Sequence, residues 1–83
     1  MPYNVIWDNY ALDNLNKLES SIVNRILKKI DEFSSDPFSH DIKKLKGDLG
    51  YRLRVGDYRV IFDIEKDIIT ILKVGHRKNI YDR

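Results

Sequence analysis

Apolar and polar positions change their spacing along the chain, and each spacing predicts a different element. Residues 3–7 form a short segment rich in aromatic and β-branched side chains, which is typical of a strand. Residues 8–18 and 21–34 carry apolar side chains three and four positions apart, which predicts two amphipathic helices in a helical hairpin. The second helix must end before Pro37, because the residue that precedes a proline resists the helical conformation.

Alternation with a period of two dominates the second half of the chain. After a polar, glycine-bearing loop at 36–50, it predicts strands at 50–56, 57–65 and 67–75. This order predicts an α+β fold: an N-terminal strand, a two-helix hairpin and a three-stranded antiparallel meander, with the helices on one face of the sheet. We expect a single domain over residues 1–83, because a chain of this length forms one small core.

A Gly-Asp turn at 56–57 sets the register of the first predicted hairpin. A two-residue turn there places Arg54 directly opposite Arg59, with Arg52 two residues along on the same face. The alternate, apolar side chains then face the helices. Directly opposed like charges destabilise a sheet by some tenths of a kcal/mol. The cluster therefore favours a binding site for a polyanion, and the alternative is a solvated outer face.

The register of the last predicted strand places further residues on the arginine face. A loop at 65–67 that pairs Ile64 with Ile68 would bring Lys73 beside Arg59. The same register predicts an exposed apolar patch next to the cations, formed by Ile61, Ile69 and Ile71. Such a patch is typical of a dimer surface or of a docking site for a partner protein.

Composition narrows the chemistry. The chain has no cysteine, which excludes disulfides and thiolate metal sites and favours a reducing cytoplasm. No signal peptide or membrane-spanning apolar run is recognisable. The net charge is only +2, but from Lys43 onward eleven lysines and arginines face six acids. A basic half on a mildly acidic scaffold favours an anionic partner.

Catalysis without a metal or cofactor is the chemistry that these residues allow. The two histidines are far apart in sequence, and no carboxylates are paired near either of them. RNA cleavage needs a base for the 2′-hydroxyl, an acid for the leaving oxygen and cations for the phosphorane. Arg59 and Arg77 suit the last role, and Tyr81 or His76 suits the acid role. The alternatives are that His76 ends a strand and that Tyr81 is a packing residue.

Two segments, KKLKGDLGYRLRVGDYRVIFDIE and ILKVGHRKNIYDR, resemble the RelE branch of the RelE/ParE superfamily of type II toxin–antitoxin toxins. The resemblance extends over the whole chain and implies a microbial-ribonuclease-like fold. It implies an endoribonuclease that enters the ribosomal A site, cuts mRNA without a metal and inhibits translation. It also implies a RelB-type antitoxin as partner, in a complex that commonly binds operator DNA to repress its own operon.

The resemblance also implies roles for individual residues. Arg52 and Arg54 match basic family positions that bind or activate RNA, where the best-studied members have lysines that act as the base. Arg59 and Arg77 match arginines that stabilise the transition state, and Tyr81 matches a tyrosine that stacks on or protonates the substrate. The expected RNA contacts are Lys43, Lys44, Lys46, Lys73, His76 and Lys78.

Two other functions remain compatible with the sequence. ParE toxins share the scaffold and the Gly-x-Tyr-Arg hairpin, but they poison DNA gyrase and have no nuclease activity. A catalytically silent module that binds RNA or an antitoxin is the other alternative. The set of basic residues together with the tyrosine near the end favours the RelE branch.

Overall fold

A computed structural model describes residues 3–39, 42–47 and 50–80 of the protein. In chain order, its elements are β1 (Asn4–Trp7), α1 (Asn9–Asn16), α2 (Ser20–Ser35), a short 3-10 helix (Pro37–Ser39), β2 (Ile42–Lys44), β3 (Tyr51–Val55), β4 (Tyr58–Glu65) and β5 (Ile68–His76). The predicted α+β fold with a helical hairpin is confirmed. None of the helices in the described segments is both long and apolar enough to cross a membrane.

The sheet is larger than the predicted meander. Five strands lie in the order β1-β5-β4-β3-β2; β1 runs parallel to β5, and the other pairs are antiparallel. Strands β3, β4 and β5 form the expected meander, but β2 lies inside the segment predicted as a loop. Three residues are too few to show an alternating pattern, so only pairing with β3 identifies this strand.

Both helices pack on one face of the sheet and enclose the core. Helix α2 contributes Ile26, Ile30 and Phe33, all buried. The Phe33 ring meets Phe62 of β4 edge-on at 4.9 Å, and Phe62 stacks on Tyr51 of β3 at 5.5 Å. Burying side chains of this size contributes about 1.5–3 kcal/mol each. The alternate positions of the same strands point to the other face.

The turn between β4 and β5 differs from the prediction. Glu65 pairs with Ile68 and Ile64 with Ile69, so the turn contains only Lys66 and Asp67. Lys66 takes a φ of 58°, a left-handed conformation that is uncommon outside glycine and asparagine. The sequence has no residue with that preference at this position, which is why the pattern favoured a longer loop.

A bulge in β5 changes which side chains face the core. Ile61 pairs with Lys73, whereas Phe62 pairs with Ile71, which leaves Leu72 as the extra residue. The bulge reverses the alternation, so the residues before and after it, Ile69, Ile71 and Val74, all lie in the core.

The bulge and the turn together make two predictions wrong. Lys73 lies opposite Ile61 and not beside Arg59, whose partner is Gly75. The predicted apolar patch does not form, because Ile69 and Ile71 are completely buried and Ile61 is only 8% exposed.

Candidate nucleic-acid interface

Cations gather on the face of the sheet opposite the helices, in two rows that cross the strands. We call this surface the basic face; its cations are Lys43, Arg52, Arg54, Arg59 and Lys73. The first row runs from Lys43 through Arg52 and Ile61 to Lys73, and the second from Arg54 through Arg59 to Gly75. The predicted pairing of Arg54 with Arg59 is confirmed.

Arg54 and Arg59 are adjacent but have different environments. Arg54 is exposed. Arg59 is only 8% exposed, and its Nη1 donates hydrogen bonds to the carbonyls of Gly56 at 2.8 Å and Tyr58 at 2.9 Å. These bonds fold the guanidinium back over the β3–β4 turn. Arg59 therefore holds the turn in place and adds positive charge from beneath the surface.

The segment after β5 folds back onto the basic face. The N–H groups of Asn79 and Ile80 both donate to the carbonyl of His76. Ile80 is 3% exposed and covers Gly75, because a Cβ at that glycine would lie 3.2 Å from the Ile80 Cδ1. A side chain at position 75 would therefore have to displace the end of the Ile80 side chain by a few tenths of an ångström. Ile80 thus lies over the residue that pairs with Arg59.

Arg77 lies in the turn that follows β5. Its backbone N–H donates to the carbonyl of Asp57 at 2.8 Å, and its Nε lies 3.8 Å from the Asp57 Oδ1. The side chains are 56% and 73% exposed. Such a surface ion pair contributes at most about 1 kcal/mol. The backbone bond holds Arg77 beside the β3–β4 turn, which also carries the bonds of Arg59, and the Arg77 side chain is exposed.

Several predicted RNA contacts lie away from the basic face. Lys44 pairs with Tyr51, so it lies on the helix side of the sheet. His76 pairs with Tyr58 on that same side, with the two rings edge-on at 5.3 Å. Lys46 follows β2 at the opposite end of the sheet from the Gly56 turn.

His76 has a structural role in the turn that follows β5. Its Nδ1 accepts the backbone N–H of Lys78 at 3.1 Å, while its carbonyl accepts the two N–H groups described above. Lys78 is exposed within this turn. The geometry fits the alternative in which His76 ends the strand.

Comparison with known proteins gives the family. A family model described as the ParE toxin of type II toxin–antitoxin systems matches residues 5–81. The RelE–RelB complex of Pyrococcus horikoshii OT3 is 31% identical in sequence, with a TM-score of 0.78 over 95% of this chain and 99% of that one. The RelB–RelE complex of Methanococcus jannaschii is 34% identical, with a TM-score of 0.76 over 93% and 95%. The chain is a RelE-type toxin of the RelE/ParE superfamily.

A curated relative agrees with this family but covers less of the molecule. The toxin is 51% identical over 43 residues to Toxin RelE3 of Methanocaldococcus jannaschii. The match spans 51% of this chain and 49% of the relative, so the chain spans about half the length of the curated relative it matches.

The pattern of the sequence did not identify two residues that shape the toxin's candidate site. The sequence pattern predicts only a turn role for Asp57, although this residue holds both the backbone and the side chain of Arg77. Ile80 carried no signal at all, because an isolated apolar residue in a polar tail has no periodicity.

Tyr81, which with His76 is one of the two predicted candidates for the general acid, lies outside the described residues of the toxin. Within residues 3–39, 42–47 and 50–80 there is no group of three or more side chains able to hold a metal ion.

Proposed function

We propose that the toxin is an endoribonuclease of the cytoplasm that cuts mRNA in the ribosomal A site and so inhibits translation. The observation that carries the proposal is the basic face, where arginines and lysines from four strands lie in adjacent rows. Arginine binds phosphate with two parallel hydrogen bonds, which suits an RNA backbone. The family supports the same assignment, since the two complexes compared above contain RelE toxins.

The proposed reaction is an internal transphosphorylation. The RNA 2′-oxygen attacks the adjacent phosphorus, the 2′-oxygen–phosphorus bond forms, and the bond to the 5′-oxygen breaks. A base takes the 2′-hydroxyl proton and an acid protonates the leaving 5′-oxygen. Cations stabilise the charge that develops on the phosphorane oxygens. No electron transfer or co-reactant is needed.

The geometry supports a division of roles among the arginines. Arg54 and Arg77 are exposed and are proposed to contact the phosphate that reacts. Arg59 is buried and is proposed to act as a positioning residue, because it holds the turn that carries Asp57 and through it Arg77. Arg52 is proposed to bind RNA rather than to act as the base, since a guanidinium stays protonated. Tyr81 is proposed as the acid.

A RelB-type antitoxin is the proposed partner. The proteins compared from Pyrococcus horikoshii and Methanococcus jannaschii are both RelE bound to RelB. An antitoxin that covers the basic face, or that moves Arg77, would abolish RNA binding without unfolding the toxin.

A second candidate function is inhibition of DNA gyrase in the manner of ParE toxins. The observation that favours it is the family match, because that model is described as the ParE toxin and spans residues 5–81. This function needs no transition-state arginine, so the two candidates respond differently to the same substitution.

Replacing Arg77 with alanine tests the proposed function. Primer extension on mRNA from translating ribosomes is expected to show cuts inside codons with the unaltered toxin. We expect Arg77→Ala to slow cleavage about 100–1,000-fold, because one charge-stabilising donor is lost. Affinity for the antitoxin and thermal stability should be retained. Lys17→Ala is the matched control, because Lys17 is an exposed cation at the end of α1.

Two other results would have different consequences. Undiminished cleavage by Arg77→Ala would remove Arg77 from the site but keep the endoribonuclease function. Arrested replication with gyrase-dependent DNA breaks, and no mRNA cleavage, would establish the ParE-like function instead.

A further inference from the structure

A second basic surface lies between α2 and the end of β3, around the edge of the sheet from the basic face. It is a groove with a volume of about 260 Å³. We call it the α2 groove. The charged residues that line it are Arg25, Lys28, Lys29, Glu32 and Arg54. Four cations therefore face one carboxylate.

The spacing of charges along α2 aligns them on one side of the helix. Residues 25, 28, 29 and 32 recur at intervals of three and four, so their side chains share a face. Lys28 and Glu32 have the spacing of a favourable ion pair, whereas Arg25 and Lys29 are like charges at the same spacing. Each such pair changes helix stability by about 0.2–0.5 kcal/mol, with opposite signs, so the two roughly offset one another. Helix stability therefore does not account for the excess of cations on this face.

A solvated helix face is the usual explanation for such a charge run, but two features differ from it here. The surface is concave, and Arg54 faces the helical cations from a different element. Arg25 also packs against the turn: a Cβ at Gly56 would lie 2.5 Å from its Nη2. Cations from the helix and from the sheet are therefore held on both sides of one groove.

The α2 groove is continuous with the basic face. Arg54 lines the groove and also pairs with Arg59 in the second row of the face. Gly56 also contacts both surfaces, since its carbonyl accepts a hydrogen bond from Arg59 and its Cα lies beneath Arg25. An extended anionic chain on the basic face can thus pass Arg54 and continue into the groove.

The lining of the groove favours a phosphate backbone over an amphipathic helix. A docked helix needs apolar pockets for its anchor side chains. Val55, the apolar side chain of the lining, is 7% exposed and belongs to the core. Lysine and arginine side chains in a groove are the features that follow a nucleic-acid backbone without reading its sequence.

We propose that the α2 groove binds the phosphodiester backbone of the single-stranded RNA whose neighbouring segment lies on the basic face. This inference rests on the proposed function, which it extends from a cleavage site to a longer strand path. It assigns RNA contacts to Arg25, Lys28 and Lys29.

Equilibrium binding of RNA of two lengths tests the proposal. The probes are fluorescent 2′-O-methyl oligonucleotides, which lack the attacking hydroxyl, of about 4 and about 12 nucleotides. We expect the Lys28→Gln/Lys29→Gln double variant to bind the long probe more weakly and the short probe normally. The magnitude of the slope of log affinity against log salt for the long probe should fall by about 0.7 per lysine. The reason is that each phosphate contact that is lost means that fewer counterions are released on binding. Glutamine keeps the helix, since its helix propensity is close to that of lysine.

The matched control is the Lys17→Gln/Lys66→Gln double variant, which removes two exposed lysines outside the groove. Long-probe binding that is equal in the groove variant and the control would overturn the groove. Weaker binding of an acidic antitoxin with unchanged RNA binding would also overturn it, in favour of a protein partner. Failure of the proposed function looks different: Arg52→Ala and Arg54→Ala would then leave both probes unaffected.

Discussion

The two faces of the sheet are built from alternate residues of the same strands, yet they have opposite physical properties. On β4, Val60 and Phe62 are completely buried against the helices, whereas Arg59 and Ile61 point to the other side. One face contributes apolar burial, and the other gathers positive charge that folding alone does not favour. Neighbouring residues of one strand therefore contribute to different properties, one to stability and the next to the candidate site.

Arg59 is the exception to that separation. Its register places it on the basic face, but it is nearly as buried as a core residue and bonds to two turn carbonyls. Arg59 is therefore a residue of the candidate site that also contributes to the stability of the fold. Substitutions on each face and at this exception should therefore have different effects.

The largest expected effect on stability comes from the helix-covered face. Phe62→Ala removes a completely buried ring that contacts Phe33 and Tyr51. We expect the free energy of unfolding to fall by about 3–5 kcal/mol, because transfer and cavity terms add. Urea unfolding followed by circular dichroism measures it. Phe38→Ala is the control, since Phe38 is 62% exposed. Equal losses at the two positions would contradict the assignment of the core.

An intermediate effect is expected at Arg59. Arg59→Ala should lower the free energy of unfolding by about 1–3 kcal/mol, because it removes hydrogen bonds from a charged donor to two carbonyls. If Arg59 positions Arg77, the fold decrease in kcat for RNA cleavage should exceed the fold increase in KM. Arg59→Lys is the comparison, because it restores the charge but not the planar fork. Full rescue of kcat by lysine would show that charge alone matters and would contradict a positioning role.

The smallest effect on stability belongs to the exposed arginine. Arg54→Ala should leave the free energy of unfolding unchanged or raise it by a few tenths of a kcal/mol, because it relieves repulsion with Arg59. RNA affinity should fall at the same time, and more at low salt than at high salt. Thermal melting and RNA titration are the measurements, with Lys17→Ala as control. A clear loss of stability would mean that Arg54 belongs to the packed structure and that the two faces are less separate than proposed.

The β3–β4 hairpin is a part of the structure that local sequence predicts correctly. Gly56 takes a φ of 59°, the left-handed conformation that this turn requires, and the register of Arg54 opposite Arg59 follows from turn length. The helical hairpin and the meander were predictable for the same reason, since spacing along the chain is local information. The arginine cluster was therefore visible before any tertiary contact was known.

The β4–β5 hairpin, in contrast, has features that local sequence does not predict. Lys66 adopts a left-handed conformation without a sequence preference for it, and Leu72 enters a bulge that reverses the alternation of β5. Neither feature leaves a local pattern. The bulge was decided by packing, because it lets Ile69, Ile71 and Val74 all reach the core.

Local patterns in the amino-acid sequence were enough to predict the order of elements, the separation of apolar from cationic positions on β3 and β4, and the family that the chain resembles. The parallel pairing of β1 with β5 and the position of Arg77 beside Asp57 became visible only in the tertiary structure. The physical reason is distance along the chain. Turns and periodicity act within a few residues, whereas these two features join segments brought together only when the core forms.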